Sequence, residues 1–253
     1  MGTKEIKKVM HELKLRLLTV KSVEELSPHM RRITLHGPEL EGFVTLSPED
    51  HVKVFFPKNN DELPALPTLT ATGPVFTDEV IMRDYTPRFN NGDKELVLDF
   101  ALHKKGPASL WASKAQIGNT IGIGGPRAST IYPEFKNYIL IGDDTAIPSI
   151  GRRLSELPKN GRAIAILEVD DESAELEFDT DADVEVLWLY REGKKAGDST
   201  LFAKQIRSLT LPTEDVLTII SGEITVVKEL KRIFIEDYQF DESWIKATGY
   251  WRA

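Results

Sequence analysis

The sequence predicts a β barrel plus α/β fold class: an antiparallel Greek-key barrel first, then a doubly wound parallel sheet. Three observations carry this reading. Up to about residue 135 the apolar residues come in short runs broken by Pro and Gly. Beyond it, strand-like runs alternate with runs of helical spacing. The chain has 253 residues, 41% hydrophobic and 28% charged, which is enough to bury two cores. The expected domains are therefore 1–135 and 136–253.

In the first part, strands are read at LKLRLLTVKSV (13–23), MRRITLHGPEL (30–40), HVKVFFP (51–57), RDYTPR (83–88), ELVLDFALH (95–103) and TIGIGGPR (120–127). Short strands so spaced are typical of an antiparallel barrel. The stretch from Pro57 to Glu79, rich in Pro, Thr and acids, is read as a long surface loop. In the second part NYILIGDDTAIPSIGRRLSEL gives a strand, a glycine turn and an amphipathic helix, and GRAIAILEV and VEVLWLY give buried strands. STLFAKQIRSL has helical spacing, VLTIISGE followed by ITVVKELKRIFIEDY repeats strand, turn and helix, and WIKATGYWR closes as a strand. Alternation of this kind implies parallel pairing. Between Ala163 and Tyr190 there is no Lys or Arg, and the crowded carboxylates read as a solvated acidic hairpin or loop joining two strands.

Composition excludes several kinds of chemistry. The chain has no cysteine, so disulfides, thiolate-held metals and cysteine nucleophiles are absent. No two of His11, His29, His36, His51 and His103 stand four apart, and no protein-held metal is expected. A net charge of −8 argues against nucleic acid as a partner. The charged N-terminus lacks the pattern of a signal peptide, and no run approaches the roughly 18 apolar residues of a membrane span, so no membrane association and a cytoplasmic address are expected.

Two runs carry chemistry. In RDYTPR, Arg83 and Tyr85 share a strand face: a guanidinium can neutralise a phosphate, a tyrosine can lie against a flat heteroaromatic ring, and Thr86 can meet a ring nitrogen or oxygen. In DFALHKKGPASLWA, a strand ending at His103 precedes Gly106-Pro107-Ala108-Ser109 and a helix start, where backbone amides can receive an anion.

Taken in order, R-x-Y-T, then H-x-x-G-P-A-S with Trp111 following, then GPR at 125–127, GDDTAIP at 142–148, GDS at 197–199, SGE at 221–223 and a terminal GYWR, the chain resembles the siderophore-interacting protein family. These are flavin-dependent ferric-siderophore reductases related to the ferredoxin reductases. The resemblance implies an FAD-binding barrel and an α/β domain for NADPH or NADH. It places Arg83 on the FAD pyrophosphate, Tyr85 on the isoalloxazine, Thr86 near its reactive edge, Asp99, Leu102 and His103 along the flavin, and Ala108 and Ser109 at the phosphates. On the nucleotide side it implies Asp144, where the family usually has Glu, together with Thr145, Ala146, Gly222 and Glu223, and near the C-terminus it makes Tyr250 and Trp251 candidates for an aromatic that covers the flavin. Lys53, Arg127 and Arg252 would attract an anionic ferric siderophore.

The implied reaction is hydride transfer to flavin N5 followed by single-electron reduction of Fe(III), with no side-chain acid, base or nucleophile. Alternatives left open are a related reductase with a protein or free-flavin acceptor, and a nonenzymatic siderophore or flavin binder. Arg152, Arg153 and Arg191 could meet a 2′-phosphate, and the acidic stretch could repel it. A monomer or weak oligomer is expected.

Overall fold

The computed structural model describes residues 4–90, 92, 94–103, 105–197 and 200–253. The chain divides into two compact units, one ending at Pro133 and the other beginning at Glu134. Lys104, Asp198 and Ser199, from two of the motifs above, lie outside the described residues.

The first unit contains β1 (Lys7–Met10), β2 (Leu15–Ser27), β3 (Met30–His36), β4 (Val52–Phe56), β5 (Thr68–Thr70), β6 (Gly73–Val75), β7 (Ile81–Tyr85), β8 (Phe89–Asn90), β9 (Leu96–Ala101), α1 (Pro107–Lys114), β10 (Thr120–Gly124) and β11 (Ala128–Ile131). Seven strands form an antiparallel sheet in the order β7-β4-β10-β2-β3-β9-β8. Strict alternation along β2 buries Arg16, Leu18 and Val20 on one face. That face meets Ile33, Leu35, Val52, Val54, Phe56 and Phe100 in one core, which α1 covers with Trp111 and Ala112.

The two edge strands, β7 and β8, share no ladder among the described residues, yet only Thr86, Pro87 and Arg88 separate them in the chain. Three residues reach at most about 14 Å from Cα to Cα across the gap, so the sheet must curl until its edges come together. RDYTPR is therefore the closing seam of a curled sheet. Proline suits it, because an edge position asks for no ladder N–H. Within the surface loop β5 and β6 form a small hairpin, and β1 pairs with β11, neither of which sequence patterning identifies.

The second unit contains β12 (Asn137–Asp143), α2 (Ile147–Ser155), β13 (Arg162–Val169), β14 (Asp183–Tyr190), α3 (Leu201–Ser208), β15 (Val216–Glu223), α4 (Ile224–Glu236) and β16 (Ile245–Trp251). Five parallel strands run in the order β14-β13-β12-β15-β16. β15 is buried along its whole length, as a parallel strand covered on both faces should be. Ile139, Ile141 and Ile220 pack with Phe202 and Ile206 of α3 and Val227, Leu230 and Phe234 of α4. The acidic stretch is a loop, not a hairpin, because β13 and β14 run parallel.

Candidate active site

In the first unit the seam gathers one set of the candidate residues. Tyr85 is half-buried, with its ring tilted on Phe100 at 4.4 Å and edge-on to Phe56 at 6.2 Å. Burial pushes its hydroxyl well above the ordinary tyrosine range, so it stays neutral. Arg83 is exposed, donates to the Met82 carbonyl at 2.6 Å and has no ion-pair partner among the described residues. Thr86 is buried beside it.

Helix α1 packs against β7 as well as β4 and β9. Its cap is Gly106, with φ of 106° and no side-chain acceptor, so the amides of Ala108 and Ser109 are left to an outside acceptor. The loop before it is locked by Ser109, whose Oγ accepts from the His103 amide at 2.5 Å and donates to the His103 carbonyl at 2.7 Å. Leu102 is half-buried and His103 exposed.

Asp99 is engaged within the protein. Its carboxylate takes Nε and Nη2 of Arg32, both at 2.8 Å, and lies 3.7 Å from Arg88. Only 3% of it is exposed. With both oxygens engaged by guanidinium groups, it ties β3 to β9 and anchors the Arg88 end of the seam.

Lys53 stands on the other face of the sheet from Tyr85 and Arg83, opposite Asp84 in the β4–β7 ladder, with Nζ 2.7 Å from Oδ1. Arg127 follows β10 in a loop held from two sides: Arg16 donates to the Gly125 carbonyl at 3.1 Å, and the His11 amide donates to the Arg127 carbonyl at 2.9 Å. Its side chain is exposed without an ion-pair partner among the described residues, as is that of Arg252 in the second unit.

In the second unit the candidate residues converge on an aspartate that the sequence reading passed over. Asp143 ends β12 and is 4% exposed. Its Oδ1 accepts from the amide and hydroxyl of Thr145, and its Oδ2 accepts from the Glu223 amide at 3.0 Å and Trp251 Nε1 at 2.8 Å. One carboxylate thus joins the β12–α2 turn, the β15–α4 turn and the last strand. Burial, and then the neighbouring charge of Asp144, raise its pKa, while the Thr145 and Trp251 donors act against them. An aspartate followed two residues later by threonine at a strand end is an Asx-turn signal, and that signal could have found it.

The polar groups of this half are largely spent on one another. Thr145, expected to offer its amide to a nucleotide, gives it to Asp143, and Ala146 is fully buried. Glu223 caps α4, accepting from the amides of Thr225 at 2.6 Å and Val226 at 3.0 Å, and it also accepts from the Ala253 amide at 3.3 Å. Burial works against its charge, but the amides of Val226, Ala253 and Thr225 more than reverse this and hold the carboxyl below the ordinary range. Asp144 pairs with Arg191 at 2.9 Å, and that guanidinium also lies 3.7 Å from Glu168 and from Asp170. Arg191 and Arg152 are therefore not open to a 2′-phosphate: the first is buried among three carboxylates, and the second is buried and donates to Glu156 at 2.7 Å.

Gly142 and Gly222 are buried there as well. β12 and β15 are neighbours whose chains continue to opposite sides of the sheet, and a crevice at their carboxyl ends is lined by Gly142, Asp143, Ser221 and Gly222. This is where doubly wound sheets receive ligands. A Cβ on Gly142 would sit 2.4 Å from that of Ala146, so this glycine serves close helix packing and not the turn itself. Gly222 has φ of 143°, and a Cβ there would lie 2.5 Å from Asp143 Oδ2.

A curled antiparallel sheet followed by a five-stranded parallel one is the ferredoxin-reductase class of fold, and a ferredoxin-NADP+ reductase from Plasmodium falciparum shares it. Within that class the chain belongs to the siderophore-interacting protein family: residues 19–130 match the siderophore-interacting FAD-binding domain and residues 135–253 the siderophore-interacting protein model. It is 35% identical to the NADPH-dependent ferric-chelate reductase of Escherichia coli, over 97% of this chain and 96% of the relative. It is 29% identical to the ferric vibriobactin reductase ViuB of Vibrio cholerae, over 94% of this chain and 89% of the relative. A siderophore utilization protein from T. fusca superposes with a TM-score of 0.92 at 34% identity, covering 98% of this chain and 96% of that one. No described helix is long and apolar enough to cross a membrane.

Proposed function

We propose that the chain is a ferric-siderophore reductase that draws electrons from NADPH or NADH through FAD and releases Fe(II) for iron acquisition. The observation that carries this reading is the seam. An unpaired guanidinium, a half-buried tyrosine ring and a helix start with free amides are brought together in one unit, and this donor set fits a flavin dinucleotide. When bound, FAD supplies hydride acceptance and one-electron donation, chemistry that no side chain of this protein offers.

In this reading Arg83 holds the pyrophosphate, with the Ala108 and Ser109 amides taking the rest of its charge. Tyr85 bears the ring, Thr86 stands at its edge, and Leu102 and His103 flank the chain. The nucleotide meets the crevice at the carboxyl ends of β12 and β15, whose walls Asp143, Thr145, Glu223 and Trp251 keep in place, with Gly142 letting α2 pack close and Gly222 the Asp143 carboxylate. Lys53 and Arg127 in the first unit, and Arg252 separately in the second, supply positive charge to attract the ferric siderophore, in a protein whose net charge is −8. The reading places the protein in the cytoplasm as a monomer or weak oligomer.

The test is spectroscopic. Protein purified with ample riboflavin should be yellow, bleach anaerobically with NADPH or NADH, and regain its colour on adding a ferric siderophore while a ferrous-specific chelator develops its own absorbance. Colour that persists with both nucleotides would leave only a binder, and colourless protein that cannot be reconstituted would end the proposal.

A further inference from the structure

Lys53 and Asp84 are direct partners across the β4–β7 ladder, so their side chains leave the same face, and they form an ion pair at 2.7 Å. Asp84 is the one position that the Arg-x-Tyr-Thr pattern leaves open, so nothing in the flavin grip demands a carboxylate there. Lys58, just past β4, is likewise matched by Glu79 at 3.2 Å. Gly124 lies opposite Lys53 on the other side, and the loop after it carries Arg127, a cation without an ion-pair partner among the described residues. Asp84 thus offsets the charge of Lys53, whereas Arg127 keeps its charge unmatched by an ion pair among the described residues.

We infer that Asp84 is a specificity-determining residue: by neutralising Lys53 it tunes the protein to ferric chelates of low net charge, trihydroxamate in kind, over tris-catecholate trianions. The inference rests on the placing of Lys53 at the chelate site in the proposed function. Three hydroxamates of one negative charge each cancel Fe(III), whereas three catecholates of two charges each leave a trianion. A carboxylate at this spot repels the trianion and is indifferent to the neutral complex.

The test is direct binding to the FAD-loaded protein, by equilibrium dialysis at low ionic strength, of Ga(III) tris-catecholate and Ga(III) trihydroxamate. Ga(III) has the charge and size of Fe(III) without its redox chemistry, so binding is read apart from turnover. The wild type should bind the neutral complex more tightly than the trianion, and Asp84→Asn should tighten the trianion about threefold and leave the neutral complex unchanged, an effect that fades with added salt. Lys53→Met should weaken the trianion alone. If Lys53→Met alters neither complex, the placing of Lys53 falls and the inference with it. If Lys53→Met weakens the trianion while Asp84→Asn changes nothing or tightens both complexes alike, the role of Asp84 falls and that of Lys53 stands.

Discussion

The candidate residues of the two units are arranged on opposite plans. At the seam of the first unit the candidate groups hold back their donors: Arg83 has no ion-pair partner among the described residues, and the cap of α1 offers its first amides no side-chain acceptor. At the crevice of the second unit nearly every candidate polar group is already satisfied by another, through Asp143. Placed donors suit a group held permanently, since their desolvation is offset by lasting charge-assisted bonds. A self-satisfied wall suits a ligand that must come and go, because leaving strands no buried donor.

The change that would most disrupt this contrast is Asp143→Ala, which leaves the Glu223 amide and Trp251 Nε1 without their acceptor. It should cost the second unit about 3 kcal/mol in denaturant unfolding while the first unit retains flavin absorbance. Loss of flavin from this variant would show that the halves do not keep separate accounts of their contacts. Next in size, Arg83→Ala should weaken FAD about 10- to 100-fold by flavin fluorescence titration without lowering the stability of the apoprotein. A stability loss with unchanged FAD affinity would make Arg83 structural.

Trp251→Phe keeps the ring and removes the donor, and should cost about 1 kcal/mol in the second unit alone.

The smallest effect concerns acid. Glu223 is held below its ordinary range, so its stabilisation is complete above that range and disappears as pH falls through the lower folded value. Asp143 is raised, so its ionisation costs stability as pH rises through its folded value. Stability measured across pH should therefore lose its acid limb in Glu223→Gln and its opposing limb in Asp143→Asn; identical profiles would refute the assignment.

Much of this was legible in advance. Alternation along β2 and the strand, turn and helix repeats from Asn137 onward fix both fold classes, because burial imposes periods of 2 and 3.6 directly on the residues. Register is not written so plainly. Nothing local in RDYTPR says that it joins the two edges of one sheet, or that Asp84 faces Lys53. Arg191 reads as a free cation until parallel pairing sets the ends of β12, β13 and β14 side by side and surrounds it with Asp144, Glu168 and Asp170. In GDD the second aspartate draws the eye, although the first makes the contacts. Short β1, β5, β6 and β8 carry too few residues to show a period at all.

The three-residue link at the seam has a further consequence. Because strands β7 and β8 share no rungs among the described residues, a prosthetic group gripped beside that joint can enter or leave while every rung of the sheet stays zipped. Stripping and reloading the protein is then a matter of parting two staves, and the emptied form keeps its β signature in circular dichroism.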